Sequence, residues 1–354
     1  MATSLTPELI HNLDLSNVYG SVLAFADQVS DAWVQAEKIE IPPDYSEIKN
    51  VVVAAMGGSA LGARVISALY SESLKVPLEI VNDYRLPSYV GKETLVIADS
   101  YSGTTEETLA SYEEAKNKGA KIYCTAAGGT LSKIASEDKV PLYTINPIYN
   151  PSNQPRMSLG YSIGSMSQLL SKLKLIDLRG EEVKKACAFV KNLSGEFKLE
   201  KANNNAINTA EGLFNKIPIL IAASHLLGAS HAAKNQINEN AKTFAAAFPI
   251  PELNHHLIES LKFPESNPTN LAFVFYESEL YLPRTQKRFK LTKELAEKNG
   301  IRTYTYKVRG ENKLEQALEV VQFGAFVGFY LSMLNGINPA PIPTVDWFKV
   351  EMEK

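Results

Sequence analysis

Apolar positions along this chain change spacing several times, and each change predicts a different element. Over residues 7 to 39 they return at helical intervals, as in Val18, Val22, Phe25, Val29 and Trp33. That spacing predicts two helices ahead of the first strand. Val51-Val52-Val53-Ala54-Ala55-Met56 is then a short unbroken apolar run. Such a run suits a strand buried on both faces of a parallel sheet. Gly57-Gly58-Ser59 follows at once and opens a helix through Tyr70. Further strands are predicted at 78–81, 94–98, 121–125 and 141–145, with helices reaching about 117 and starting again near 131. Strands alternating with helices argue for a parallel sheet covered on both faces.

Residues 146–155 are rich in Pro and Asn and read as a domain boundary. The chain is therefore divided into an N-terminal domain with leading helices, 1–155, and a C-terminal domain, 156–354. Helices dominate 158–215. A second alternation follows, with strands at 217–223, 243–247, 271–275 and 301–307. Helices are predicted up to about Asn240, over 284–298, and from 314 onward. Both halves read as doubly wound α/β folds, although no clear sequence repeat relates them. A length of 354 residues fits two domains of ordinary size.

Composition narrows the function. A hydrophobic fraction of 45% supplies two full cores. A net charge of -3 gives no broad basic field, so nucleic acid is not an expected partner. The cluster Arg284-Thr285-Gln286-Lys287-Arg288 reads as a solvated helix face. Two cysteines, Cys124 and Cys187, make no disulfide framework and no structural zinc motif. They point to a reducing compartment, and a cytoplasmic location is expected. Met1 to Asn17 lacks a basic region followed by an apolar core, so no signal peptide is expected. The most apolar long stretch, 317–334, contains Glu319 and Gln322 and reads as a buried core helix, not a membrane span.

Two loops carry candidate chemistry. Ser100-Tyr101-Ser102-Gly103-Thr104-Thr105 stands between a strand and a helix. Its hydroxyls donate hydrogen bonds, and Gly103 lets backbone approach an anion. The helix that follows points its positive end at the ligand. Gly57-Gly58-Ser59 is a second loop of this kind. In an open parallel sheet both loops face the edge where ligands bind. The competing reading is that Ser102 and Thr104 only cap the helix. Two such loops together favour a phosphate cradle made of Gly57, Gly58, Ser59, Ser100, Ser102, Thr104 and Thr105. Neither loop has Walker or dinucleotide-fold spacing, so a compact phosphomonoester is a better ligand than a nucleotide.

Acid–base candidates lie in the second half. Asn238-Glu239-Asn240-Ala241-Lys242 closes a predicted helix, and Glu252-Leu253-Asn254-His255-His256 forms a polar loop. Aldose–ketose interconversion needs a base that moves a proton between neighbouring carbons, and help in opening the sugar ring. A Glu, a His and a Lys beside a phosphate cradle would supply both. No tight ligand cluster or His-Glu-x-x-His motif is present, so no metal and no cofactor are expected.

Met56-Gly57-Gly58-Ser59-Ala60-Leu61-Gly62, Ser100 to Thr108, Asn238-Glu239-Asn240 and Glu252-Leu253-Asn254-His255 closely resemble the bifunctional phosphoglucose/phosphomannose isomerases of the sugar-isomerase (SIS) superfamily. The resemblance runs from Gly57 to Lys349. It implies two SIS domains, each a parallel sheet between helix layers in a three-layer αβα sandwich, and a homodimer. It implies reversible conversion of glucose 6-phosphate and mannose 6-phosphate into fructose 6-phosphate. By the same resemblance, Arg156 stabilises an enediolate and Glu239 shuttles the proton between C1 and C2. His255, reaching in from the partner subunit, opens the ring with help from Lys349. The adjacent His256 is the alternative to His255. The family's link between mannose use and a C-terminal threonine points to Thr344. The other reading is a non-catalytic SIS protein that senses a sugar phosphate.

Overall fold

The computed structural model describes residues 5–352 and Lys354. Of the N-terminal stretch read as lacking a signal peptide, residues 1–4 lie outside the described residues. Three helices lead the chain, not the two expected: α1 (Pro7–Leu13), α2 (Val18–Leu23) and α3 (Phe25–Glu37). Asn17 caps α2, its Oδ1 accepting from the Gly20 N–H at 3.0 Å. Ala24 alone separates α2 from α3. A one-residue break leaves the apolar spacing intact, which is why the pattern does not reveal it.

The first sheet is built by β1 (Asn50–Ala55), α4 (Ala60–Leu69), β2 (Leu78–Val81), β3 (Thr94–Asp99), α5 (Glu106–Asn117), β4 (Lys121–Ala126), α6 (Gly129–Glu137) and β5 (Leu142–Thr144). All its strands are parallel, in the order β2-β1-β3-β4-β5. Helices α7 (Leu159–Lys172), α8 (Gly180–Glu196) and α9 (Asn205–Leu213) follow. The second half contains β6 (Ile217–Ala222), α10 (Leu227–Asn240), β7 (Ala246–Pro249), α11 (Asn267–Asn270), β8 (Leu271–Glu277), α12 (Pro283–Lys298) and β9 (Arg302–Lys307). Its sheet is also parallel, ordered β7-β6-β8-β9. The chain continues into α13 (Lys313–Leu334) and α14 (Pro343–Met352).

Both halves are thus doubly wound α/β units. β7 begins three residues later than the apolar pattern implies, because residues 241–245 are tied to the end of α10. Lys242 takes a left-handed φ of 50°. The Ala245 N–H donates to Asn238 Oδ1 at 2.9 Å, and Thr243 Oγ1 donates to the Ala241 carbonyl at 3.1 Å. α14 lies outside the predicted elements, and all its side chains are exposed.

α13 is the one described helix long and apolar enough to cross a membrane, and its apolar window is wholly buried. It packs along α9 and α10, and α10 packs along α4. One core therefore runs continuously between the sheets, with Ala63, Ile66, Ala229, Ala233, Phe326 and Tyr330 among its buried residues. A smaller core, including Val52, Val96, Tyr112 and Cys124, covers the opposite face of the first sheet.

The halves approach closely at Gly228. A Cβ there would lie 2.0 Å from the Arg64 carbonyl oxygen and 2.6 Å from Val65 Cα. Backbone cannot yield as a flexible side chain does. Gly228→Ala is expected to lower stability by about 1–3 kcal/mol through overpacking. Thermal unfolding followed by circular dichroism, with an unchanged spectrum below the transition, checks this.

Candidate active site

In the first sheet β1 and β3 are neighbours while their following helices cross to opposite faces. This topological switch opens a crevice beyond their carboxyl ends. The loops after these two strands are the two hydroxyl-bearing segments. They are tied together where the Tyr101 N–H donates to Ser59 Oγ at 3.0 Å.

The turn at 100–105 is organised by its own hydroxyls. Ser100 Oγ lies 2.8 Å from Thr105 Oγ1 and accepts from the Gly103 N–H at 3.1 Å. Thr104 Oγ1 donates to Ser102 Oγ at 3.0 Å, and both residues are exposed. Gly103 has φ 68°, and a Cβ there would meet the Gly128 carbonyl oxygen at 1.8 Å, so no other residue fits. Thr105 is the N-cap of α5, yet no side chain caps that helix. Ser102 and Thr104 therefore do not serve as caps. The helix start carries Glu106 and Glu107 in its first turn.

The other half of the site reaches this crevice through Arg156. A Cβ on Gly58 would lie 2.7 Å from the Arg156 backbone nitrogen, so the glycine loop rests against the turn at 155–157. The Arg156 side chain is fully buried. Its Nε donates to Asn240 Oδ1 at 2.5 Å and its Nη1 to Gln154 Oε1 at 2.9 Å. Its Nη2 donates to the carbonyls of Pro339 at 2.8 Å and Ala340 at 2.7 Å. The Glu239 carboxylate stands 3.6 Å from Nη1, a charge contact and not a hydrogen bond.

Glu239 occupies the last turn of α10 between two anchoring asparagines. Asn238 holds Ala245 and Asn240 holds Arg156. The carboxylate itself accepts no described hydrogen bond and keeps 28% of its side-chain surface open. Burial raises its pKa above the ordinary range; Arg156, Lys242, Lys349 and Lys234 oppose that shift. A second buried carboxylate, Glu319, shows the structural alternative. It accepts from the Arg309 and Gly310 N–H groups and from the Tyr306 hydroxyl, so its valences are filled.

Lys349 lies on α14, exposed but close enough to act on Glu239. Asp346, one turn earlier, acts likewise on Arg156. Thr344 is exposed in the first turn of α14. His255 and His256 end a short 3-10 segment and are also exposed. Within one chain neither has a described bond to Glu239 or Arg156. Among the described residues, no group of three or more His, Cys, Asp or Glu is placed to hold a metal ion. A cleft of about 510 Å³ beside α12, lined by Ser278, Tyr281, Lys290 and Lys293 among others, shares no lining residue with this constellation.

Sequence reasoning passed over Lys242 and Asp99. Lys242 was visible, three residues beyond Glu239, but nothing local marks its role. Asp99 is masked by the apolar strand that it ends.

A family model described as the bacterial phospho-glucose isomerase C-terminal SIS domain matches residues 202–352, and a SIS domain model matches residues 44–170. The bifunctional phosphoglucose/phosphomannose isomerase of Caldicellulosiruptor bescii is 32% identical over 338 residues, covering 94% of this chain and 98% of that protein. This chain belongs to the bifunctional phosphoglucose/phosphomannose isomerase family. The family member of Aquifex aeolicus is 30% identical over 322 residues, covering 90% of this chain and 95% of that protein. A hypothetical protein from Thermus thermophilus shares the fold, with a TM-score of 0.75 at 17% identity over 98% of this chain and 92% of that one.

Within this family scaffold, Asp99 is a buried carboxyl with a single described partner, Ser162 Oγ, which donates at 2.7 Å. Burial pushes it from 3.8 up to about 7, against the Ser162 hydrogen bond. A raised folded pKa means the native state holds the extra proton between these values. Stability therefore falls as pH rises through that window and stays reduced above it. Asp99→Asn is expected to stabilise the protein at pH 8, by up to about 4 kcal/mol, and to change little at pH 4. Denaturant unfolding at the two pH values checks this.

Proposed function

We propose that this chain interconverts glucose 6-phosphate and mannose 6-phosphate with fructose 6-phosphate through an enediolate, using Glu239 as base and no metal ion. The observation that carries this reading is the Arg156–Glu239 pair, 3.6 Å apart, beside a hydroxyl-lined crevice. The names of the Caldicellulosiruptor and Aquifex relatives support the substrate class.

The phosphate sits in the crevice, held by Ser59, Ser100, Ser102, Thr104 and Thr105 with the backbone of Gly57 and Gly58. The start of α5 faces it with a positive dipole end. Glu239 takes a proton from C2 of the open-chain aldose and returns it to C1. Its carboxylate accepts no described hydrogen bond that would weaken it as a base, and its raised pKa lets it hold the proton in transit. Negative charge develops on O1 as C2 loses its proton, and the O2 hydroxyl proton passes to O1 as C2 becomes the carbonyl carbon. The buried guanidinium of Arg156 is fixed in advance by four acceptors, so it stabilises that charge without reorganising. This fixed cation supplies the positive charge that a Lewis acid would otherwise provide. Lys349 assists ring opening from α14, and Thr344 on the same helix bears on mannose use.

Incubating the protein with fructose 6-phosphate and identifying the products tests the reading. Glucose and mannose esters together support it; bound ester with no product would favour the sensor. Glu239→Gln is expected to cut turnover by about 10²–10⁴-fold with substrate binding retained. Chelation should leave turnover unchanged, and a loss reversed by added zinc would overturn the metal-free part.

His255 is proposed to act across a homodimer, which fits its exposure and its lack of a described bond to Glu239 or Arg156 within the chain. Mixing Glu239→Gln with His255→Ala subunits then restores activity, because each mixed dimer contains one site with both native groups. Failure of mixed dimers, verified by mass, to regain turnover would place both residues in one subunit's site.

A further inference from the structure

Lys242 lies just past the end of α10, where its left-handed backbone turns the chain back. Its Nζ donates to the Pro339 carbonyl at 2.9 Å, with the Asn240 and Asn338 carbonyls each at 3.4 Å. Arg156 Nη2 donates to that same Pro339 carbonyl. One oxygen thus joins an ammonium and a guanidinium; the guanidinium stands 3.6 Å from the Glu239 carboxylate, and the ammonium's charge acts on the same carboxylate.

We propose that Lys242 is a positioning residue for the isomerase site, clamping the 338–340 turn that holds Arg156 beside Glu239. This rests on the reading of Glu239 as the base. The charged groups around the pair come from several elements. Arg156 approaches from the 155–157 turn, Lys234 lies on α10, Lys349 faces Glu239 from α14, and Asp346 faces Arg156 from α14. Exposed Lys349 and half-buried Lys234, five residues before Glu239, are weaker influences on Glu239 than Lys242. Burial and the Arg156 charge bring Lys242 down to about 8, while Glu239 opposes that shift.

Two pH effects follow with opposite signs. As pH rises through about 8, Lys242 loses its proton and the clamp on the 338–340 turn weakens, so turnover falls on the alkaline side. Glu239 must be ionised to act, so turnover also falls as pH drops through its pKa. Removing the Lys242 charge lets burial raise that pKa further, and the acid limb moves to higher pH.

The test is the pH profile of kcat for the wild type, Lys242→Met and Lys242→Arg. In Lys242→Met, kcat at neutral pH is expected to fall about tenfold, with the acid limb raised by about one pH unit. Lys242→Arg keeps its charge throughout, so its acid limb stays and the alkaline fall near pH 8 disappears. An acid limb shared by all three proteins, or an alkaline fall retained by Lys242→Arg, overturns the proposal. A second measurement is independent of turnover. In wild-type protein carrying ¹⁵N-labelled lysine, one Nζ signal should titrate near 8. It should be missing from Lys242→Arg and titrate lower in Glu239→Gln. No lysine titrating below about 9.5 overturns the proposal. If the wild type makes no isomer, the isomerase reading fails, and the Nζ titration still tests the coupling of Lys242 to Glu239.

Discussion

Backbone contact between α4 and α10 is the constraint on which the site depends. The hydroxyl loops belong to the first half and Glu239 to the second, and their relative placement rests on packing between the halves. Gly228 lets α10 settle directly onto the Arg64 carbonyl, and Gly324 of α13 lies against Ala233 on the far side of α10. With α10 held between two helices, its last turn has one position. The Glu239 carboxylate inherits that position, and Asn240 passes it on to Arg156. Interiors packed at crystal density respond to a single added methyl group, so the placement is rigid.

The two sheets are built alike, yet the loops after their first strands are filled differently. β1 leads through Gly57–Ser59 into α4, and β6 leads through Ser224–Leu226 into α10. Each connection begins with a left-handed residue, Gly57 at φ 48° and Ser224 at φ 46°. In the first half Gly58 leaves room that the Arg156 backbone fills. In the second, His225 stands in the same place and is buried. Its Nε2 lies 2.8 Å from Gln316 Oε1, which also accepts from Ser278 Oγ at 2.6 Å. Those side chains occupy the second switch point. No sequence repeat is visible because the corresponding positions carry different residues, Gly58 in one loop and a buried His225 in the other.

Much of this was legible in the chain. The apolar runs at β1, β3, β6 and β8 locate both sheets, since a strand buried on both faces has little choice of residue. The hydroxyl turn was legible because it is local. What the sequence hid are contacts across long separations. Arg156 takes its acceptors from Gln154, Asn240, Pro339 and Ala340, three of them far along the chain, and two of those are backbone carbonyls that carry no side-chain signal. Lys242 is held by carbonyls of the same turn. The break at Ala24 and the late start of β7 escaped for a related reason. Each depends on one or two hydrogen bonds that leave the apolar spacing unchanged.

The balance of charge around Glu239 follows from burial. An isolated carboxylate in this position would take up a proton and cease to be a base. Glu319 meets the same problem with two backbone N–H groups and a tyrosine hydroxyl, which satisfy it and leave it inert. Glu239 is opposed instead by Arg156, Lys242, Lys349 and Lys234, none of which takes its lone pairs in a described hydrogen bond. Cations that act by charge, Arg156 at 3.6 Å among them, favour the ionised form without a described hydrogen bond to the carboxylate oxygens. In the proposed mechanism the same cations would offset the charge of an enediolate, so one arrangement would serve both the base and the intermediate.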